Sequence, residues 1–146
     1  MTVMKAITIS EPWASLISFG EKRIETRTWK TSYRGTLYIH AGKHVDKNWL
    51  HEQRRLVSLT DIPSSHPGFI LAKCELIDCC EMTGDFIQKV EQNNFEFQTG
   101  VYELGRYAWI LRNVQTLAVP VECKGHLRVW NIPAVLSKEI EAENDR

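Results

Sequence analysis

Apolar and polar residues alternate along some windows of this chain and recur at helical spacing in others. Residues 3–9 read as a first strand, ending at Ser10. Pro12 then suits a first helical turn, where its missing N–H is no loss, and Trp13, Leu16 and Ile17 follow at i, i+3 and i+4. Gly20 suits the left-handed residue that closes such a helix. Residues 23–29 predict a strand with Glu25, Arg27 and Trp29 on one face and Ile24, Thr26 and Thr28 on the other. After the turn signal Tyr33-Arg34-Gly35, residues 36–41 predict another, with Leu37, Ile39 and Ala41 on one face and Tyr38 and His40 on the opposite one.

Residues 45–58 read as a helix through Trp49, Leu50, Leu56 and Val57, and 60–68 as a proline-bearing loop. A long strand is expected over 69–80 and a short helix over 84–93, with Phe86, Ile87 and Val90 inward. Residues 94–106 read as an irregular loop, and 107–111, 114–123 and 127–131 as strands. The charged tail, 134–146, is expected to fray. Short strands with two or three helices predict an α+β fold, most simply a curved or closed sheet with helices outside it. One domain is expected over residues 1–146, with its core at about 3–133.

Composition narrows the function classes. Hydrophobic residues make up 43% and charged residues 25%, as in ordinary globular chains. No apolar run reaches membrane-spanning length and the N-terminus has no signal-peptide pattern, so a cytoplasmic protein with no membrane partner is expected. Cys74, Cys79, Cys80 and Cys123 form no C-x-x-C pair and no zinc spacing with histidine; they read as reduced thiols, and neither metal nor cofactor is expected. The net charge is zero, which argues against binding by bulk attraction to phosphates. The balance is uneven, because residues 1–60 carry ten Lys or Arg against five Asp or Glu. A local basic cleft on a neutral protein fits that distribution.

Candidate chemistry concentrates in Gly20-Glu21-Lys22-Arg23-Ile24-Glu25-Thr26-Arg27. Lys22, Glu25 and Arg27 bring an ammonium, a carboxylate and a guanidinium to one strand start. Glu25 and Arg27 can form a plain ion pair covering the sheet. With Lys22 nearby they can also form a site, the carboxylate held ionised between two cations. An ammonium beside a ligand carbonyl can stabilise an oxyanion, and a lysine of lowered pKa can act as base or nucleophile. Trp29 shares their face and can stack on a base. His40 is a structural or a cleft residue, and Lys124-Gly125 a hairpin turn or a cleft edge. Walker, H-E-x-x-H and Ser-His-Asp patterns are absent.

These residues carry a family resemblance. Residues 9–17 (Ile-Ser-Glu-Pro-Trp-Ala-Ser-Leu-Ile), the G-x-K-x-x-E-x-R of Gly20, Lys22, Glu25 and Arg27, and Arg34-Gly35 before Leu37 to Ala41 come first. Gly105-Arg106-Tyr107-Ala108-Trp109 and Lys124-Gly125 leading to Trp130 follow in order. Together they resemble the ASCH family of the PUA-like superfamily. The resemblance implies a small PUA-like β-barrel with flanking helices and a cleft beside the first helix for RNA or a modified nucleobase. Lys22, Glu25 and Arg27 would face that cleft, with Glu11, Pro12, Trp13, Gly20, Trp29, His40 and Lys124 as further ligand-binding residues. Some members resemble amidohydrolases acting on N4-acylated cytidine, with a lysine at the position of Lys22 but threonine where Glu25 stands. Others are nucleases or RNA-binding parts of coactivators. Glu11 departs from the glutamine many relatives carry.

Three readings follow. The first is an RNA- or nucleoside-binding module, in which Lys22 and Arg27 contact oxygens, Glu25 accepts from an exocyclic amine and Trp29 stacks. The second is a hydrolase acting on an acylated nucleobase or on an RNA phosphodiester, with Glu25 activating water. The third is a protein-interaction domain with a vestigial cleft.

Overall fold

The computed structural model describes residues 3–46 and 66–144. Strand β1 (Lys5–Glu11) leads into helix α1 (Trp13–Ser18), then β2 (Ile24–Arg27), β3 (Gly35–Val45) and β4 (Phe69–Glu81). Helices α2 (Gly84–Glu91) and α3 (Asn94–Gln98) precede β5 (Tyr107–Glu122), β6 (Val129–Asn131) and α4 (Ala134–Asn144). The helix expected over 45–58 falls, beyond Asp46, outside the described residues, as does most of the 60–68 loop.

All six strands form one sheet in the order β2-β5-β4-β3-β1-β6. Neighbours are antiparallel except β1 and β3, which run parallel. The α+β class is therefore observed, but the expected closed barrel is not: among the described residues the sheet stays open, with β2 and β6 at its edges. Those edges are short. β2 pairs with β5 over four residues and β6 with β1 over three. Curvature comes from irregular pairing instead. The long β4–β5 ribbon shifts register between Ile70 and Ala72, Lys73 and Glu75, and Leu76 and Asp78, and each such bulge bends the strands. The two strands expected over 107–111 and 114–123 are one strand, passing through Asn113 at φ 54°.

The pleat sorts apolar residues into two layers. Ile7, Ile9, Leu37, Ile39 and Trp109 bury against Ala14 and Ile17 of α1. Ala6, Tyr38, Ile70, Val121 and Trp130 point the other way and meet Ile140 of α4. The tail expected to fray is thus a helix through Asn144. Its anchor is Ile140, 2% exposed, whose burial contributes about 2 kcal/mol. The loop expected over 94–106 also contains a helix, α3, whose first turn is capped by Asn93 Oδ1 accepting from Glu96 N at 3.1 Å.

Candidate functional site

Helix α1 closes at Gly20, at φ 80°, a conformation that L side chains avoid. The amides of Gly20 and Lys22 donate to the carbonyls of Ile17 and Leu16 at 2.9 and 3.1 Å, which folds the chain back under the helix. Lys22 therefore points inward. It is 1% exposed, its Nζ donates to Thr99 O at 2.6 Å, and it lies 5.8 Å from the centre of the Trp13 ring. Burial lowers its pKa from the ordinary ammonium value, while Glu25 and Glu96 oppose that shift. Lys22 is thus sealed into the protein.

Glu25 is also buried, and its partner is Arg27, whose Nε donates to Glu25 Oε2 at 3.0 Å. Arg27 Nη2 donates to Thr8 O, also at 3.0 Å, so the guanidinium ties β2 to β1. Both side chains line a cleft of about 480 Å³ with Trp13, Thr26, Trp29 and Arg106. Thr99, Gly100 and Val101 complete its wall, held by Thr26 Oγ1 accepting from Val101 N at 3.1 Å. Lys22 does not contribute to the lining, although Trp13 and Thr99, which it contacts, do.

Trp29 lies past the end of β2, which stops at Arg27 rather than running to residue 29. Its carbonyl accepts from Trp109 Nε1 at 3.4 Å, and its ring meets that of Trp109 nearly edge-on at 4.8 Å. The Arg128 guanidinium lies 4.9 Å from its centroid, so a stacking base would share this indole with a cation.

The remaining expected ligand residues lie elsewhere. Glu11, Pro12 and Gly20 do not line the cleft. Pro12 occupies the N-cap position of α1 with no side-chain acceptor, and Glu11 supplies one in its place. Glu11 Oε1 accepts from Ser15 N at 2.8 Å and Oε2 from Ser15 Oγ at 2.5 Å, placing a negative charge at the helix N-terminus. Glu11 is therefore a buried capping group. His40 and Lys124 line a different cavity, on the side of the sheet where Tyr38 points. His40 Nε2 must donate to Cys123 O at 2.6 Å, so in the neutral ring Nδ1 accepts from Thr8 Oγ1 at 3.1 Å. Thr8 Oγ1 in turn accepts from Trp130 Nε1 at 3.1 Å. Burial lowers the pKa of His40, which favours that neutral ring.

Sequence reasoning missed Glu96, Thr99, Thr8 and Arg106. Glu96 is 5% exposed, and its carboxylate accepts from Arg23 N at 3.0 and 3.2 Å and from Ile24 N at 3.0 Å. Asn93 followed by Glu96 is a helix-start pattern that would have pointed to α3. That the carboxylate reaches back to β2 is tertiary information. The Tyr102 hydroxyl is buried without a hydrogen-bond partner among the described residues. Burial raises its pKa first, and Glu96 and Glu25 raise it further.

Among the described residues no group of His, Cys, Asp or Glu is arranged to hold a metal ion. Among the same residues no helix is long and apolar enough to cross a membrane.

A family model for the ASCH domain matches residues 7–121. Activating signal cointegrator 1 of Mus musculus is 32% identical over 133 residues, covering 86% of this chain. The Homo sapiens protein of that name is 29% identical over the same length and share. The chain spans only 22% of the length of either relative. The crystal structure of ASCH from Zymomonas mobilis has a TM-score of 0.61 at 12% identity, covering 97% of this chain and 95% of that one. A mutant of the same Zymomonas mobilis protein gives 0.58 at 11% identity, covering 97% and 98%. At such identities the likeness concerns the fold alone. With most of its length matched by the family model, the chain belongs to the ASCH domain family.

Proposed function

We propose that this chain is a nucleic-acid-binding module whose cleft takes a single nucleobase. One observation carries the reading: two indoles, Trp13 and Trp29, line the same cleft as the Glu25–Arg27 pair. An indole face gives sequence-tolerant stacking, roughly 1–3 kcal/mol per base. Glu25 uses one oxygen on Arg27 and keeps acceptor capacity for an exocyclic amine. Arg106 adds a further cation to the wall. A cleft of about 480 Å³ lies within the size range of small-ligand sites.

The test is tryptophan quenching by the four 5′-ribonucleotides. Bases with an exocyclic amine should bind best. Glu25→Gln, which adds an amide donor, should shift preference toward uracil. No quenching by any nucleotide at millimolar concentration would overturn the reading.

A second reading is hydrolysis of an N4-acylated cytidine. Lys22 supports it, because a buried lysine of lowered pKa beside two carboxylates is a frequent feature of catalytic sites. Water oxygen would bond to the acyl carbon as the carbon–N4 bond breaks, leaving a carboxylic acid and the free amine. The binding reading ranks first because Lys22 is 1% exposed and does not line the cleft. Loss of N4-acetylcytidine absorbance with the wild type, and not with Lys22→Ala, would reverse that order.

A further inference from the structure

A second cavity, of about 620 Å³, opens on the other side of Thr8, and Thr8 lines both spaces. Its floor is built to stay still. Both nitrogens of His40 are engaged within the protein, one by Cys123 O and one by Thr8 Oγ1. The chain joining β5 to β6 lies directly on that imidazole. A Cβ on Gly125 would come within 2.7 Å of Thr8 Oγ1 and 2.8 Å of His40 Cε1, so only glycine lets the backbone approach this closely.

The rim is basic. Lys43, Lys124 and His126 line the cavity, against one carboxylate, Glu122. Among the described residues neither lysine has an ion-pair partner. In the first cleft Arg27 is already neutralised by Glu25, and Arg106 Nε donates to Val101 O. Arg128, from the same connection as Lys124 and His126, reaches the Trp29 ring and so links the basic rim to the first cleft.

We infer that this second cavity takes the phosphodiester next to the base held in the first cleft, which makes the ligand a single-stranded oligonucleotide rather than a free nucleoside. The inference rests on the nucleobase reading above. Two rim ammonium groups without protein partners match a phosphate, and the shared Thr8 wall puts the two spaces within reach of one strand.

The experiment compares the four ribonucleosides with random-sequence RNA and DNA hexamers, using the full chain and a Lys43→Ala/Lys124→Ala double variant. Both lysines are exposed, so the variant should fold. The hexamers should bind at least about tenfold more tightly than the nucleosides. The double variant should lose that advantage, and its salt slope should fall by about 0.7, the value for one phosphate contact on a single strand. Its nucleoside affinity, which involves no phosphate, should stay unchanged. RNA and DNA share the phosphodiester, and a difference between the two hexamers assigns the sugar. Nucleoside binding with no gain for hexamers, or an unchanged salt slope in the double variant, would overturn this inference and leave the base-binding reading standing. No binding by any probe would overturn both.

Discussion

Removing the Glu96 carboxylate tests what holds the cleft together. Glu96 sits on α3, yet its oxygens accept from the amides of Arg23 and Ile24 at the start of β2. β2 is an edge strand of four residues, so those two amides depend on Glu96 rather than on a neighbouring strand. Glu96→Ala leaves two partly buried N–H groups without an acceptor, at about 1–3 kcal/mol each. It also removes one of the two carboxylates that support the Lys22 ammonium. Water entering the vacated space offsets part of the loss, so the expected cost is about 3 kcal/mol. Glu96→Gln keeps one acceptor oxygen and should cost about half as much. Urea unfolding followed by tryptophan fluorescence reads both variants. With a slope of about 1–3 kcal/mol per molar, the alanine midpoint should fall by roughly 1–3 M with the slope unchanged. A loss below about 1 kcal/mol, or equal losses in the two variants, would refute the reasoning.

Cys74 is buried, and its thiol is pushed up to about 12, by burial first and Glu75 second. The unfolded thiol ionises near pH 9 while the folded one stays neutral, so stability falls as pH rises through that window. Urea titrations should show Cys74→Ala losing about 2 kcal/mol less than wild type between about pH 9 and 10.5, and parallel curves would refute this. His40 runs the other way: burial lowers its pKa, so the unfolded chain takes up a proton that the folded one resists. Stability is fully present above pH 6.5 and falls below it, and His40→Gln should show a shallower acid decline; an unaltered decline would refute the assignment. Ser15→Ala removes a hydrogen bond to the Glu11 carboxylate and should cost about 1.5–3 kcal/mol, lowering Tm by roughly 3–10 °C. An unchanged Tm would show that the cap does not depend on that hydroxyl.

The sequence read the faces of the strands well and their partners poorly. Alternation placed Leu37, Ile39 and Ala41 opposite Tyr38 and His40, and the two buried layers follow that division. It could not say whether the sheet closes. Closure depends on which strand lies beside which, and a period of two residues is the same in an open sheet and in a barrel. Element ends were set by distant partners. β2 stops at Arg27, and the Trp29 carbonyl turns to the Trp109 indole instead of a ladder. β3 runs on to Val45, opposite Glu11 of β1. The tail pattern was dominated by charge, yet Ile140 and Leu136 dock it on the core and Asn144 exchanges two hydrogen bonds with the Val119 backbone.

The candidate site was legible in residue type and not in depth. Lys22, Glu25 and Arg27 do cluster, but what covers Lys22 is the Thr99 carbonyl, 77 residues away along the chain. The floor that results is balanced. Lys22 lies near Glu25 and Glu96, and Glu25 is paired with Arg27, so two cations face two carboxylates. Such a floor has little net field with which to attract a phosphate. It suits instead the directional hydrogen bonds by which a base edge is read. Lysines without ion-pair partners among the described residues stand in the other cavity, across Thr8. On the proposed reading this divides the labour, with base recognition over a charge-balanced floor and backbone contact on a basic rim. It also reconciles nucleic-acid binding with a net charge of zero: a few phosphate contacts need only local cations, and the expected signature is a shallow salt dependence.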